Sequence, residues 1–442
     1  MNSSRETAAG IVQRLQAAGF TAFWVGGCVR DFLLGRAPQD FDIATDARPA
    51  QVEKLFKKTI AVGRKFGVMV VLEGKEQFQV ATFRAEADYL DGRRPEKVVF
   101  ADARADALRR DFTVNGLFYD PISKKTHDWV GGEKDLRARI IRTIGKPEER
   151  FAEDHLRLLR AVRFAAQLDF EIEPQTFAAV KSLAPKISVI SAERIRDELL
   201  KLFRPPHAAR GLALLRDSGL LEHVLPEVTA TISCEQSPDY HPEGSVFEHI
   251  KLMLGKMPPD ADELLPWTIL LHDIAKPVTA EKDVQTGAIH FYGHEKIGAA
   301  MAQKILERLR FPRKQIDAIT ACVLLHMQFK DVRQMRKATL RRLLLRETFP
   351  LEMELHKLDC LGSHGSLEYY DFLLEQAEEL KKKPALRPPL LTGKDLMTLG
   401  MKPGPAMGAL LHEIRERQLS DELKTSRQAK AWAKKQVTAA QK

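Results

Sequence analysis

Apolar and polar positions change their rhythm once along this chain, near residue 145. Before it, residues 5–18 place Ile11, Val12 and Leu15 on one helical face. Short apolar runs bounded by turn residues follow at 22–25, 40–44, 68–72 and 78–82, and they predict strands. Helical stretches at 28–34 and 50–56 are interleaved with them. After Glu148 the spacing is three to four almost throughout, as in Leu156, Leu159 and Val162, then Ile195, Leu199 and Leu202. Segment 232–245 is polar, holds Pro238, Pro242 and Gly244, and reads as a linker. KKKPALRPPLLTG is a second boundary. The pattern predicts an α+β protein with a mixed-sheet head over 1–145 and an all-helical neck over 146–231. A further helical domain over 246–382 and a helical tail over 383–442 follow.

A length of 442 residues accommodates several domains, and 44% hydrophobic with 29% charged residues is a globular composition. The net charge of +9 suits a polyanionic partner. Cys28, Cys234, Cys322 and Cys360 form no C-x-x-C pair, so neither a disulfide framework nor a zinc ribbon is expected. The N-terminus has no long apolar stretch and no run could span a bilayer, so the expectation is a cytoplasmic protein with no membrane partner. Beyond Glu422 there is no acidic residue, and the basic tail is either solvated or an RNA contact.

Candidate chemistry begins where AFWV runs into Gly26-Gly27. A glycine pair at a strand-to-helix turn lets backbone N–H groups approach a phosphate, and Arg30 adds a charge-assisted contact. Asp40 and Asp42 are two apart and on a strand share a face. Adjacent carboxylates are costly without a cation, and Mg²⁺ would balance them and bridge to triphosphate oxygens.

GGCVRDFLLGRAPQDFDIAT resembles the signature of the class II nucleotidyltransferases, the tRNA CCA-adding enzymes and bacterial poly(A) polymerases. Arg109-Arg110-Asp111-Phe112-Thr113-Val114-Asn115 is similar to the family's ribose-reading segment, and 131–136 to its head–neck hinge. Glu153-Asp154-His155-Leu156-Arg157 resembles the element that reads the incoming base, and ISAERIRDELLKLF extends the match to about residue 205. The resemblance implies Asp40 and Asp42 as catalytic Mg²⁺ ligands. It implies nucleotide binding by Gly26, Gly27, Arg30, Arg110, Asp111, Asn115, Asp154, Arg157, Arg160 and Arg163. Asn115 could equally cap the next turn. Asp154 and Arg157, three apart, would share a helix face and present acceptors and donors to a base edge, the plainer alternative being an intrahelical ion pair. Between the motifs, FRAEADYLDGRRPEKVVFADA is a full-length loop, which in this family argues against CC-only addition.

A second constellation comprises His249, the adjacent His272-Asp273, His294, His326 and Asp359. Imidazoles and carboxylates on separate helices are how a bundle builds a metal site, and this donor set suits Mn²⁺, Co²⁺ or Ni²⁺ with a bound water as nucleophile. The array resembles the HD phosphohydrolase superfamily. His249, His272, Asp273 and Asp359 match its motif, His294 and His326 would allow a second metal, and a metal-free structural HD fold is the alternative. His241 and His290 read as exposed loop residues outside the site.

The resemblance implies CCA addition to tRNA from CTP and ATP, with an accessory phosphohydrolase. Poly(A) synthesis or A-only addition on the same scaffold is the close alternative. An RNA-binding protein with an inert head is the alternative of another class, and the intact aspartate pair speaks against it.

Overall fold

A computed structural model describes residues 2–63, 67–85, 99–238, 241–286, 288–382 and 388–440. The chain divides into two compact units, Met1–Thr229 and Ala230–Lys442. The loop expected at 83–103 has its central residues, 86–98, outside the described ones.

The first unit opens on α1 (Asn2–Ala17) and holds a seven-stranded mixed sheet. Its strands come from β1 (Ala22–Val25), β2 (Ile43–Thr45), β3 (Thr59–Gly63), β4 (Val68–Glu73) and β5 (Glu76–Thr82). The short β6 (Arg84–Ala85) and β7 (Val99–Phe100) pair separately, and β8 (Phe118–Asp120) and β9 (Lys125–His127) complete the sheet. The order is β3-β4-β5-β2-β1-β8-β9. Only β2 with β5 is a parallel pairing, and the other neighbours are antiparallel. All four residues of β1 are buried, which is why this central strand reads as a continuous apolar run rather than an alternation.

β3, β8 and β9 were not predicted. The first carries exposed Ile60 and Val62 at the sheet edge, and the other two have three residues each, too few to show a period. The strand expected at 40–44 begins only at Ile43, so Asp40 and Asp42 sit on the extended entry to β2. Phe41 between them is buried while Asp40 is exposed and Asp42 half-buried. The alternation that puts both carboxylates on one side therefore survives.

Helices α2 (Gly27–Leu33), α3 (Pro49–Leu55), α4 (Ala103–Leu108) and α5 (Gly132–Ala138) flank the sheet segments in sequence. Next come α6 (Pro147–Glu153), α7 (Leu156–Leu168), α8 (Pro174–Leu183) and α9 (Ala192–Leu202). Helices only were expected after residue 145. Among the described residues two small exceptions occur, a parallel bridge of Ile140–Ile141 with Glu171–Ile172 and a hairpin of Glu281–Lys282 with Ile289–His290. Two-residue strands leave no periodic trace.

The second unit is otherwise helical. Its array of imidazoles sits among helices Val246–Gly255, Leu265–Leu271, His294–Arg308, Arg313–Leu325 and Phe349–Gly362. Helices Gly393–Thr398, Pro405–Leu419 and Ser426–Ala440 close the chain around Leu396, Ile414, Ala429 and Ala433. The segment expected to be a linker contributes two buried residues among the described ones. Cys234 and Gln236 are buried, and Val246 donates its backbone N–H to Cys234 O at 2.9 Å.

Candidate active site and metal centre

In the first unit a cavity of about 690 Å³ opens at the end of β1. Eight cationic side chains and three carboxylates line it, so its field favours a polyanion. Gly26 and Gly27 form one wall. Gly26 has φ 74°, a conformation that side-chain-bearing residues rarely adopt, and a Cβ there would lie 2.9 Å from Arg110 Nη1 and displace that guanidinium.

Asp40 and Asp42 line the same cavity. Neither carboxylate has a hydrogen-bond or ion-pair partner among the described residues. Burial, and then the charge of Asp40, push the Asp42 carboxyl above its ordinary range, with Arg110 opposing. Two unpartnered carboxylates in one cavity are a donor set fitted to a hard divalent cation.

The arginines are held by carboxylates that the sequence reading did not single out. Buried Asp106 on α4 accepts from Arg109 Nε at 2.8 Å and from Arg110 Nη2 at 3.0 Å. Its spacing to both, i+3 and i+4, is the signal that could have found it. On α7, Arg157, Arg160, Arg163 and Gln167 form one helical stripe facing the cavity. Glu198 of α9 accepts from Arg163 Nε at 2.5 Å and lies 3.7 Å from Arg160 Nη1.

Arg30 donates to Asn115 Oδ1 at 2.7 Å, and Asn115 Nδ2 donates to Asp111 Oδ1 at 3.2 Å. Asn115 is thus a bridge between two cavity residues. Asp111 also accepts from Phe112 N at 2.8 Å and from Arg160 Nε at 2.9 Å. Gly132 seats α5 against this region, since a Cβ there would lie 2.2 Å from Thr113 O.

The expectation that Asp154 and Arg157 share a helix face is not met. Asp154 ends α6 in an extended conformation (φ −151°, ψ 103°), and α7 starts after it. Its carboxylate accepts from Arg194 Nη2 at 2.7 Å. Arg157 pairs with Glu153 and donates to Arg150 O at 2.9 Å. Arg157 lines the cavity and Asp154 is not among its lining residues. A helix break between two motif residues is invisible to spacing alone.

Burial by itself would raise the Asp111 carboxyl, but Arg160 outweighs it and holds the group down to about 2. A carboxylate depressed in the fold contributes stability above its unfolded pKa and loses it as pH falls through the folded one. The pair should contribute about 2 kcal/mol near neutrality, lost between about pH 4 and pH 2. Asp111→Asn removes that term. Denaturant titration should show the wild-type advantage in unfolding free energy shrinking on going from about pH 6 to about pH 3. A pH-independent difference would assign the pair no such role.

In the second unit the imidazoles are aimed by their Nδ1 atoms. His272 Nδ1 lies 2.8 Å from Ile269 O, His326 Nδ1 2.7 Å from Val323 O and His294 Nδ1 2.7 Å from Phe291 O. A carbonyl only accepts, so each Nδ1 carries the hydrogen and the Nε2 atoms turn inward, where a deprotonated Nε2 offers a lone pair. His272 and His326 follow helix C-termini, where unpaired carbonyls are available for this.

The inward atoms converge on Asp273. Its carboxylate lies 3.4 Å from His294 Nε2 and 3.8 Å from His326 Nε2. It is 3.1 Å from His272 Nε2, which is buried and out of hydrogen-bonding geometry. Lys276 Nζ is 2.7 Å from Asp273 and donates to Gln236 Oε1 at 2.7 Å. His294 Nε2 and His326 Nε2 face each other at 3.1 Å, an arrangement that needs a cation or proton between them. Burial, and then His272, push the His326 imidazolium down to about 4, so this ring is neutral at pH 7.

His249 Nε2 meets Asp359 Oδ1 at 3.1 Å. Burial works against the charged ring, but Asp359 and Glu243 raise His249 to about 9. Donor atoms of His249, His272 and Asp273 lie within 4.8 Å of one another, as do those of Asp273, His294 and His326. Two triads thus share Asp273, and the orphaned Nε2 of His272 fits a borderline transition metal.

His241 departs from expectation. It is half-buried, its Nδ1 is 2.9 Å from Glu243 Oε1, and its ring centroid is 5.0 Å from that of His249. His290 stays apart from the array and stacks on exposed Tyr292 with centroids 5.4 Å apart. No helix among the described residues is long and apolar enough to cross a membrane.

Family comparisons agree with this division. Residues 22–142 match a poly A polymerase head domain, 169–232 a probable RNA- and SrmB-binding site of polymerase A, and 244–359 an HD domain. The A-adding tRNA nucleotidyltransferase of Deinococcus radiodurans is 34% identical over 429 residues, covering 93% of this chain and 94% of that protein. The CCA-adding enzyme of Geobacillus stearothermophilus is 46% identical over 216 residues, covering 49% of this chain and 53% of that protein. Against this second relative the chain matches about half of the length. Among solved structures, the Bacillus stearothermophilus CCA-adding enzyme in complex with CTP superposes with a TM-score of 0.73 at 27% identity, covering 100% of this chain and 99% of that one. Nucleotidyltransferase and HD domains both imply divalent metal use, and the two carboxylate and imidazole groups described above are suited to it. The chain belongs to the family of tRNA nucleotidyltransferases and poly(A) polymerases, and carries an HD domain behind its nucleotidyltransferase head.

Proposed function

We propose that this chain completes the CCA end of tRNA in the cytoplasm, adding C and A from CTP and ATP without a nucleic-acid template. The observation that carries the reading is the unpartnered Asp40/Asp42 pair at an arginine-lined cavity of nucleotide size. The RNA 3′-hydroxyl would attack the α-phosphate, lose its proton and release pyrophosphate. Asp40 and Asp42 would hold Mg²⁺, which when bound lowers the hydroxyl pKa and stabilises the leaving group. Arg110 and Asp111 would position ribose and triphosphate. Arg30 and Asn115 would hold Asp111 in place, and Arg160 and Arg163 would offset phosphate charge from α7. Arg157 would offer donors to the base edge. Asp154 would join it by exchanging Arg194 for the base.

The relatives support this reading. The CCA-adding enzyme of G. stearothermophilus has the higher identity over its matching segment, and the overlapping solved structure holds CTP. A second reading, A-only addition, is favoured by the D. radiodurans relative, which matches nearly the whole chain. For the HD array we propose a divalent transition metal, Mn²⁺, Co²⁺ or Ni²⁺, held by His249, His272, Asp273 and Asp359. His294 and His326 would complete a second position, and the activity would be phosphohydrolysis.

One experiment separates the addition readings. A tRNA transcript ending before CCA is incubated with CTP alone, ATP alone and both. CCA addition predicts two nucleotides with CTP alone, and three with both. Addition of A only to a transcript already ending in CC would replace this reading with the second, and a long homopolymer with ATP would indicate poly(A) synthesis.

A further inference from the structure

We infer that Glu243, which precedes the matched HD segment, is a positioning residue of the metal centre in the second unit. This rests on the metal-binding reading of the His249–Asp273 array proposed above. Segment 232–245 looks like a connector in sequence, yet it is built into the array from two directions. Gln236 reaches Lys276, the lysine paired with Asp273. Glu243 reaches His249: its Oε1 lies 2.6 Å from His249 Nδ1 and 2.9 Å from His241 Nδ1.

The geometry decides which ring atom can serve a metal. A carboxylate on Nδ1 fixes the proton there, so His249 presents Nε2 on the side of Asp359. The other three imidazoles obtain the same orientation from backbone carbonyls, which are neutral. Among the four imidazoles His249, His272, His294 and His326, His249 has a carboxylate in that place. An anionic acceptor also makes the ring a stronger electron donor than a carbonyl does. Glu243 Oε2 is buried and has no hydrogen-bond partner among the described residues, so the side chain is not placed there for its own solvation. That is a strained position for a carboxylate with only a structural task. His241 closes the other side of Oε1 and limits the freedom of the carboxylate.

The test uses the full chain, stripped of metal and titrated with Co²⁺, whose visible absorption reports imidazole coordination and is weak at a carboxylate-only site. Wild type should bind with the spectrum of a nitrogen-ligated ion. Glu243→Ala should weaken binding about 10- to 100-fold, the usual cost of losing such a partner. Glu243→Gln keeps an acceptor oxygen without the charge and should fall between. Glu243→Asp withdraws the carboxylate by one methylene and should weaken binding about tenfold; it decides the matter if the alanine variant does not fold. Thermal unfolding of the metal-free proteins should be similar, since the role is toward the metal. Co²⁺ affinity in the folded variants within twofold of wild type would overturn the positioning role while leaving the metal site standing. A wild-type protein that gives no nitrogen-ligated Co²⁺ spectrum would overturn both.

Discussion

Asp42→Ala is expected to abolish nucleotide addition while leaving the first unit folded. The Asp42 carboxylate contributes no hydrogen bond or ion pair among the described residues, so its removal breaks no protein contact of that kind. What it removes is half of the carboxylate pair at the arginine-lined cavity, and with it one ligand of the proposed catalytic cation. Losing that charge stabilisation should cost about 4 kcal/mol of transition-state free energy, about a thousandfold in turnover. Single-turnover extension of a tRNA transcript, with circular dichroism as the fold control, reads the effect. Retention of more than about a tenth of wild-type turnover would remove Asp42 from the chemistry. Asp42→Asn makes the same point with less change in volume, because an amide oxygen is a weaker ligand for a hard cation. It should be nearly as slow.

The local order around those aspartates was legible because several signals coincide there. The buried run Ala22–Val25, a glycine pair and two carboxylates flanking a buried Phe41 each demand a particular backbone, and together they admit one arrangement. The HD array was legible for a related reason: a His-Asp pair behind the apolar helix Leu265–Leu271 is costly to bury without a purpose. What the sequence hid falls into three kinds. Short edge strands such as β8 and β9 carry too few residues for a period, and their place depends on partners distant in the chain. The supporting carboxylates, Asp106, Glu198 and Glu243, look like any acidic residue until the fold supplies their partners. Glu243 was the hardest, because Pro242 and Gly244 on either side give its segment the composition of a loop. The break at Asp154 is a third case, where a correct motif carried a wrong local geometry.

The two proposed activities should also part under mutation. His272→Ala is expected to eliminate metal-dependent phosphohydrolysis and leave nucleotide addition within about twofold of wild type. The residues proposed for addition all lie in Met1–Thr229, whereas His272 lies in Ala230–Lys442. His272 is buried, its Nδ1 committed to Ile269 O and its Nε2 left without a partner beside Asp273. Its removal therefore empties a position to which two neighbouring ligands, His249 and Asp273, remain directed. Four proposed ligands reduced to three should lower metal affinity beyond the 10- to 100-fold loss expected for a supporting residue, so this variant should be more severe than Glu243→Ala. The two sites also differ in donor chemistry. A carboxylate pair prefers a hard cation, while an imidazole-rich pocket prefers a borderline one. Chelation followed by add-back should then restore addition with Mg²⁺ and hydrolysis of a model phosphodiester with Mn²⁺, Co²⁺ or Ni²⁺. The separation fails if His272→Ala loses both activities while circular dichroism shows it folded. In that event the array would support nucleotide addition itself, and the HD domain would be part of a single machine rather than a second enzyme.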